Sequence, residues 1–159
     1  MRILITTHVR EDFRDVFARF DRSLFKALAP PFPPIKLMRF DGSRKGDEVH
    51  INMYMPGEAP HWISLITEDG EDQDQCWFVD EGKRLPFFIK SWRHRHIIRR
   101  AQAADENARG TLIIDDIEYQ GRPGPLGYLL YPALYLQFLY RKPVYRRLFG
   151  TPDPTPGPS

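Results

Sequence analysis

The sequence has a single cysteine, Cys76, among its 159 residues. One cysteine cannot form an intramolecular disulfide, and it cannot supply a thiolate cage for a metal ion. A long apolar run is also missing from the start of the chain, where only Ile3, Leu4 and Ile5 are consecutive. A secretory signal needs an apolar segment of about 7 to 15 residues. We therefore predict a cytoplasmic protein.

A strong excess of one charge is absent as well. The 23 Lys and Arg residues stand against 21 Asp and Glu residues, which gives a formal net charge of +2. A nucleic-acid-binding domain normally carries a marked basic excess, so we expect no nucleic acid among the partners. The longest apolar segment, 126–140, contains Pro132 and Gln137. It is shorter than the roughly 18 residues that predict a transmembrane helix.

The sequence does have enough apolar material for one core, because 42% of its residues are hydrophobic. A chain of this length is typical of a single domain. We predict one domain over residues 1–149. Residues 150–159 contain four prolines and no large apolar side chain, a composition that predicts a disordered proline-rich tail.

The pattern of apolar residues predicts an α+β order. The first nine residues alternate with period two, which is typical of a strand. Two short helices follow, the second capped by Asp21, and the proline-rich run at 30–34 ends them. Helical character returns only after Gly124 and Pro125. The order favours one antiparallel sheet of about seven strands covered by a long C-terminal helix. The six later strand segments lie at about 35–40, 48–55, 61–67, 75–80, 91–100 and 111–119.

The loops between strands predict which residues face each other across the sheet. The loop at 56–60 suggests that paired residue numbers sum to about 116, which sets Met53 opposite Ile63. The acidic loop at 68–74 suggests a sum of about 142. That register brings Trp77 and Val79 onto the same apolar face as Ile63 and Leu65.

The last hairpin has a register that satisfies charges on both faces of the sheet. A sum of about 211 places opposite charges next to each other, which is why we prefer it. On one face the predicted pairs are Ile98 with Ile113, His96 with Asp115 and His94 with Ile117. On the reverse face they are Arg95 with Asp116 and Arg93 with Glu118.

Four segments of the chain resemble a known family. They are LPFFIKSWRHRH at 85–96, GTLIIDDIEY at 110–119, GPLGYLL at 124–130 and LQFLYR at 136–141. Their more specific elements are Trp92, His94 and His96, the strand from Asp115 to Tyr119, and the pair Tyr140 and Arg141. On these residues the chain resembles the START-like superfamily, specifically bacterial SRPBCC-type proteins related to polyketide cyclases and birch-pollen-allergen-like proteins. The resemblance covers about residues 1–149.

The resemblance implies a helix-grip fold, in which a curved antiparallel sheet wraps around the long C-terminal helix and encloses an apolar cavity. It also implies that the protein binds or transports a hydrophobic or amphipathic small molecule, such as a lipid, a polyketide-like compound or an aromatic compound. We expect no cofactor. The predicted ligand-binding residues are Met53, Ile63, Leu65, Trp77, Val79, Trp92, His94, His96, Ile98, Ile113, Asp115, Ile117, Tyr119, Leu130, Leu134 and Phe138.

His94 and His96 are two residues apart on a strand, so both point to the same face. With Asp115 they match the residue types of a two-histidine, one-carboxylate metal site. Four arginines in the same segment, at 93, 95, 99 and 100, disfavour a cation. We therefore predict no metal, and histidines that bond to Asp115 or to the ligand.

Catalysis remains an alternative function. An Asp that holds an imidazole is a common way to orient a general base, so His96 and Asp115 are weak candidates for a cyclase or dehydratase. The register places no Ser, Cys or Lys beside them. We therefore favour a binding protein over an enzyme.

The C-terminal helix carries a second alternative. Five of the seven tyrosines lie there, and no acidic residue occurs between Arg122 and Thr151. Tyrosines that cap the cavity and cations that favour a helix C-terminus explain this composition. The alternative is that the tyrosines and basic residues contact a membrane or a partner protein. The residues concerned are Tyr128, Tyr131, Tyr135, Tyr140, Tyr145, Arg141, Lys142, Arg146 and Arg147.

Overall fold

The structure, a computed structural model, describes residues 1–55, 60–102 and 109–152, and within these the side chains of all residues except 125–128. The predicted tail falls largely on residues 153–159, which lie outside the described residues, so it stays a prediction. In the described residues no helix is long and apolar enough to cross a membrane.

One antiparallel sheet forms the frame of the described chain, and each strand pairs with its neighbours in the order β1-β7-β6-β5-β4-β3-β2. The first strand buries Ile3, Ile5, Thr7 and Val9, as the period-two pattern predicts. The strand bounds are β1 Arg2–Val9, β2 Ile35–Phe40, β3 Glu48–Met53, β4 His61–Glu71, β5 Gln75–Arg84, β6 Ile89–Arg100 and β7 Thr111–Gly121.

Two short helices connect β1 to β2. They are α1 (Phe13–Ala18) and α2 (Arg22–Ala27). Asp12 caps α1 through the backbone N–H of Arg14, and Asp21 caps α2 through that of Leu24. An aspartate at this position satisfies a backbone donor that the first helical turn leaves unpaired. The predicted cap at Asp21 is confirmed.

The long C-terminal helix is present as two segments, α3 (Pro125–Leu139) and α4 (Arg141–Phe149), that meet at Tyr140. Pro143 lies three residues after the junction. A proline has no backbone N–H, and its ring clashes with the carbonyl four residues earlier. The carbonyl in question is that of Leu139, the last residue of α3, so the break falls where the sequence forces it.

The helices close two hydrophobic clusters on one face of the sheet. The first contains Phe13 of α1, Leu24 of α2 and Phe149 of α4. The second contains Ile3 of β1, Trp92 of β6 and Leu134 of α3. Because α4 packs at one end and α3 at the other, the two segments of the C-terminal helix cover different parts of the sheet.

The register between β3 and β4 differs from the predicted one by three residues. The structure pairs Ile63 with His50, whereas the sequence predicts Ile63 opposite Met53. The hairpin ends at Met53 because the N–H of Tyr54 donates to Pro34 rather than to β4. A shift by an odd number of residues turns a strand over. The predicted register is wrong, and Ile63 and Leu65 face away from the helices.

The predicted register between β4 and β5 is also wrong. The turn lies at 72–74, where the N–H of Asp72 donates to Gln75, rather than over the whole acidic run. Glu71 therefore pairs with Cys76 and Gly70 with Trp77. The acidic residues at 68, 69 and 71 therefore belong to β4, where ion pairs such as that of Arg44 with Asp69 hold them. Consequently Phe78 and Asp80 face the helices, and Trp77 and Val79 lie on the opposite face.

The register of the last hairpin is confirmed. His96 pairs with Asp115, His94 with Ile117 and Ile98 with Ile113. On the reverse face Arg95 pairs with Asp116 and Arg93 with Glu118, as predicted. This hairpin carries both histidines and Asp115 to the face that the helices cover.

Candidate functional site

A cavity of about 670 Å³ lies between the sheet and the helices α2 and α3. Its walls are mostly apolar and include Leu24 of α2, Val49 of β3 and Ile66 of β4. The segment between α2 and β2 contributes a further wall through Pro31 and Phe32. The cavity therefore lies where the helix-grip architecture is expected to enclose one.

Seven of the sixteen predicted ligand-binding residues line this cavity. They are Met53, Trp92, His94, His96, Leu130, Leu134 and Phe138. Five lie behind the wall: Ile98 and Ile113 in the first cluster, Ile117 and Tyr119 in the second, and Asp115 beneath His94. The other four, Ile63, Leu65, Trp77 and Val79, lie on the opposite face of the sheet because of the two register errors.

The rim of the cavity carries large apolar side chains in contact with solvent. Phe32 is 75% exposed, Leu129 64% and Leu136 63%, and all three also line the cavity. The rim thus runs between the α2–β2 segment and α3. An apolar molecule that approaches the cavity meets these side chains first.

His94 lies between two carboxylates in the cavity wall. Its Nε2–H donates to Asp115 Oδ1 at 2.9 Å, and its Nδ1 is 3.4 Å from Asp80 Oδ2. The His94 and Asp115 side chains are almost fully buried. The predicted bond from Asp115 to a histidine therefore exists, but it goes to His94.

His96 has Asp80, and not Asp115, as its hydrogen-bond partner. Its Nε2–H donates to Asp80 Oδ2 at 3.1 Å. Its Nδ1 is 3.7 Å from Asp115 Oδ1, too far for a hydrogen bond, and this buried nitrogen has no partner. The ring stacks on Phe78 at 4.1 Å between centroids and contacts the His94 ring at 3.6 Å in a tilted arrangement. His96 and Asp115 therefore face each other across the strands, as predicted, but share no hydrogen bond.

The second oxygen of Asp80 is held from the other side. Oδ1 accepts hydrogen bonds from Ser64 Oγ and from Trp92 Nε1, both at 3.0 Å. Ser64 in turn accepts from Trp62 Nε1 at 3.0 Å. Asp80 is thus fixed by neighbours on β4 and β6, with Oδ2 directed at the histidines.

Arg141 extends this polar cluster from the start of α4. Its Nη1 is 3.8 Å from Asp115 Oδ1, and its guanidinium lies over the Phe138 ring at 4.1 Å. The side chain is mostly buried, although the sequence places it among the solvated basic residues at the end of the helix. Its Nε has no hydrogen-bond partner. The prediction for Arg141 is therefore wrong.

The hydrogen bonds decide which of these groups are charged. Burial opposes each charge, but bonds with the histidines outweigh it and hold the pKa of Asp80 and of Asp115 below the usual range. Bonds to the two carboxylates likewise outweigh burial and raise the pKa of His94. Burial and the adjacent His94 charge lower the pKa of His96 to about 4. The two neighbouring histidines therefore differ: the pKa of His94 is raised and that of His96 is lowered.

Sequence reasoning missed Asp80, Ser64 and the inward position of Arg141. Asp80 follows the apolar run of Cys76 to Val79, and an isolated acid at the end of such a run is the signal that was available. Ser64 is similarly a small polar residue between apolar neighbours. The register errors assigned both strands the opposite inward face and so concealed both residues.

Comparisons with known proteins identify the fold. No protein-family model matches the sequence, and no curated protein matches it significantly. Among solved structures, the Zhui aromatase/cyclase from Streptomyces sp. R1128 matches with a TM-score of 0.62 and 14% identity over 93% of this chain and 95% of that chain. Ara h 8.0201 matches with a TM-score of 0.59 and 10% identity over 94% and 97%.

A START superfamily protein from Mycobacterium smegmatis also matches, with a TM-score of 0.55 and 13% identity over 90% of this chain and 97% of that chain. The chain has the START-like fold. At these identities the likeness concerns the fold. The START-like sheet order and the C-terminal helix confirm the fold class predicted from the sequence, and the cavity and the His94 cluster are features of this chain's own residues.

Proposed function

We propose that this START-like protein binds a hydrophobic or amphipathic small molecule in the cavity between the sheet and α3. The observation that carries the proposal is a cavity of about 670 Å³ with mostly apolar walls and one polar cluster, at Asp80, His94 and His96. Ligand sites typically have about 300 to 1,000 Å³ and combine apolar walls with a few converging polar groups. The apolar part of the ligand would contact Leu130 and Leu134, and its polar group would face the histidines.

The fold comparison supports this proposal in general terms. One solved structure of similar fold is named an aromatase/cyclase. The ligand class proposed for this chain, a lipid, polyketide-like or aromatic compound, rests on its own apolar walls. A cytoplasmic location belongs to the same proposal, because the single cysteine is buried and free.

A titration with an apolar fluorescent probe tests the cavity directly. Wild-type protein should bind the probe with a stoichiometry of one. Leu134→Trp adds bulk to a buried residue of the cavity wall and should lower the affinity at least about 10-fold, since the ring occupies space that the probe needs.

Leu65→Trp is the matched control, because it makes the same substitution in β4 at a position on the outer face of the sheet, away from the cavity. It should leave the probe affinity unchanged. Circular dichroism and thermal melting establish that both variants fold. Equal affinity in Leu134→Trp and wild type would contradict the proposal.

Acid–base catalysis is a second candidate function, favoured by the position of His94 between Asp80 and Asp115 at the polar end of the cavity, where the two carboxylates raise its pKa. An imidazolium in an apolar site is a competent proton donor to an oxygen of the ligand. Mass spectrometry of any co-purified molecule before and after incubation tests it. Wild-type protein would release water from the molecule and His94→Gln would not, whereas an unchanged mass in both leaves a binding protein.

Contact between α3 and a membrane is a third candidate. Leu129, Tyr131 and Leu136 of α3 are exposed, and Arg146 and Arg147 of α4 are exposed cations. Exposed apolar and basic residues on consecutive helices are the residue types that bind anionic membranes peripherally. Such contact would bring the cavity rim to the source of an apolar ligand.

A further inference from the structure

Three potential metal ligands converge in the cavity wall. Asp80 Oδ2 is 3.1 Å from His96 Nε2 and 3.4 Å from His94 Nδ1, and the three ligand atoms all lie within 4.8 Å of one another. Asp80 comes from β5 and both histidines come from β6, so neighbouring strands hold them. The set is two imidazoles and one carboxylate.

The distances between these atoms fit a metal ion. Nitrogen and oxygen ligands lie about 2.0 to 2.2 Å from Zn²⁺. Two such ligands are therefore about 3.3 to 3.6 Å apart at a tetrahedral angle, and about 2.8 to 3.1 Å apart at a right angle. The observed 3.1 and 3.4 Å lie in this range. A metal ion would need only small side-chain adjustments.

The surrounding hydrogen bonds are those that a metal site requires. A metal-bound histidine almost always donates its other ring N–H to a carboxylate or carbonyl. His94 already donates from Nε2 to Asp115, which leaves Nδ1 for the metal. Ser64 and Trp92 occupy Asp80 Oδ1, which leaves Oδ2 for the metal.

His96 supplies an independent observation. Its Nδ1 is buried without a partner and lies 3.7 Å from Asp115 Oδ1. While Nε2 carries the proton and donates to Asp80, Nδ1 presents a lone pair to a carboxylate. If Nε2 binds a metal, the proton moves to Nδ1, which then donates towards Asp115. A side-chain shift of a few tenths of an ångström would then bring this nitrogen within hydrogen-bond distance of Asp115, which would accept hydrogen bonds from both histidines.

Of the four arginines that disfavour a cation in the sequence, Arg93 and Arg95 lie on the outer face of the sheet, and Arg100 lies beside Asp74 in the β4–β5 turn. Arg93 forms ion pairs with Glu68 and Glu81, and Arg95 lies over the Trp77 ring on the outer face. Arg141 is on the inner face, but it lies against Asp115. The positive charge beside the three ligands is thus much smaller than the sequence suggests.

We propose that Asp80, His94 and His96 bind one divalent first-row transition-metal ion, with Zn²⁺ as the ion to be tested first. Two imidazoles with one carboxylate suit zinc, iron, cobalt or nickel better than calcium or magnesium, which prefer oxygen ligands. All three residues line the cavity, so the remaining coordination positions face the space in which a ligand would lie. The polar group of that ligand would reach the metal directly.

Calorimetric titration of chelator-treated protein with Zn²⁺ tests the proposal. We expect one equivalent to bind. Asp80→Asn and His96→Gln should each weaken binding at least about 100-fold, and Asp115→Asn about 10- to 100-fold, as expected for loss of an outer hydrogen bond. His50→Gln is the matched control, because His50 also contacts a carboxylate, Glu48, but lies away from the cavity wall. It should leave the affinity unchanged.

Nitrogen-15 NMR of the wild-type histidines gives a test that needs no variant. On addition of Zn²⁺, His94 should coordinate through Nδ1 and His96 through Nε2, and His96 should change tautomer. Absence of binding, equal binding by Asp80→Asn, or unchanged resonances of these two rings would overturn the proposal. Probe titration of the chelator-treated protein tests the cavity separately, so the two proposals fail independently.

Discussion

Asp115 carries a negative charge in a position that is only 1% exposed. A buried carboxylate is stable in this form only when cationic groups and hydrogen bonds compensate for the lost water. His94 supplies the hydrogen bond, and Arg141 supplies a second positive charge from α4. The charge state of His94 therefore depends on Asp115.

Asp115→Asn should lower the pKa of His94 in metal-free protein, because loss of the anion disfavours the imidazolium form. NMR titration of the histidine ring resonances measures the shift. The titration of His96 should change less, since its hydrogen bond goes to Asp80. Asp116→Asn, which removes the partner of Arg2 on the outer face of the sheet, is the control and should leave both histidines unchanged. A larger change at His96 than at His94 would contradict the observed bonding.

The two halves of the polar cluster differ in how well the sequence predicts them. His94, His96 and Asp115 belong to one hairpin whose cross-strand charges determine its register, so their proximity could be predicted. Asp80 belongs to the adjacent strand, and its position depends on the register of a different hairpin. The hydrogen bond itself depends on side-chain orientation, which is why His94 and not His96 donates to Asp115.

At the scale of strands, the register was predictable where the charges across the hairpin were complementary. The β6–β7 pairs of Arg95 with Asp116 and Arg93 with Glu118 are both favourable. In the β4–β5 hairpin the acidic residues look like a loop in the sequence, yet they continue the strands and bond to basic neighbours. The hairpin also contains two register shifts, between Ile63 and Ser64 and between Ile66 and Glu68. No pattern in a single sequence locates these.

Glu48 links three strands of the sheet through its carboxylate. It contacts Lys83 of β5 at 2.6 Å, Arg39 of β2 at 3.0 Å and His50 of its own strand at 2.7 Å. The bonds from Lys83 and His50 lower the pKa of Glu48 from 4.5 to about 2. A lowered carboxyl pKa stabilises the folded state above the unfolded-state pKa, and this stabilisation is lost as the pH falls through the folded-state pKa.

Glu48→Gln should therefore be less stable than wild type at pH 6, and the difference should shrink as the pH falls from about 5 to about 2. Urea unfolding at a series of pH values measures it. Glu118→Gln, which removes an exposed carboxylate of β7, is the control and should show a smaller effect. A difference that stays constant over the pH range would show that the carboxylate charge is not responsible.

The helix α3 presents an apolar surface that its own core does not cover. Tyr131 and Tyr135 stack on one another at 6.3 Å between ring centroids, and Leu136 is exposed beside them. Tyr145 of α4, by contrast, is fully buried. The tyrosines predicted as one group therefore differ in exposure: Tyr131 and Tyr135 lie at the surface of α3, whereas Tyr145 lies in the core.

Binding to anionic liposomes should exceed binding to neutral ones at low salt and decrease at high salt, because each cation contributes up to about 1 kcal/mol near an anionic surface. Co-sedimentation measures it. Replacing Arg146 and Arg147 with Gln should remove the preference for anionic lipid, and replacing Leu129 and Leu136 with Ser should weaken binding to both. Leu4→Ser, an exposed position on β1, is the control for apolar loss. Equal, negligible binding to both liposome types would leave α3 without this role.

At the scale of the whole molecule, Phe149 connects the end of the chain to its beginning. Its ring is fully buried in the first cluster, and its backbone carbonyl accepts from the N–H groups of Arg10 and Glu11. The cluster thus joins α4 to β1 and α1. The cavity lies on the other side of this core.

Phe149→Ala should lower the free energy of unfolding by about 3 to 5 kcal/mol, as expected for a large buried aromatic side chain. Chemical denaturation measures the change. Leu136→Ala, at an exposed position of α3, should alter it by no more than about 0.5 kcal/mol. Similar losses of stability in the two variants would contradict the burial of Phe149 in the first cluster.

The strict alternation of inward and outward side chains in β6 limits the length changes that this strand can tolerate. Trp92, His94 and His96 face the cavity, while Arg93 and Arg95 face solvent and their acidic partners. Deleting one residue within the strand exchanges the two sets of side chains on one side of the deletion. Guanidinium groups would then point into the apolar cavity, and burying even an uncharged polar group without a partner costs roughly 2 to 7 kcal/mol. Deleting two residues preserves the alternation. Homologous proteins that keep this cavity should therefore differ in the length of this strand by even numbers of residues.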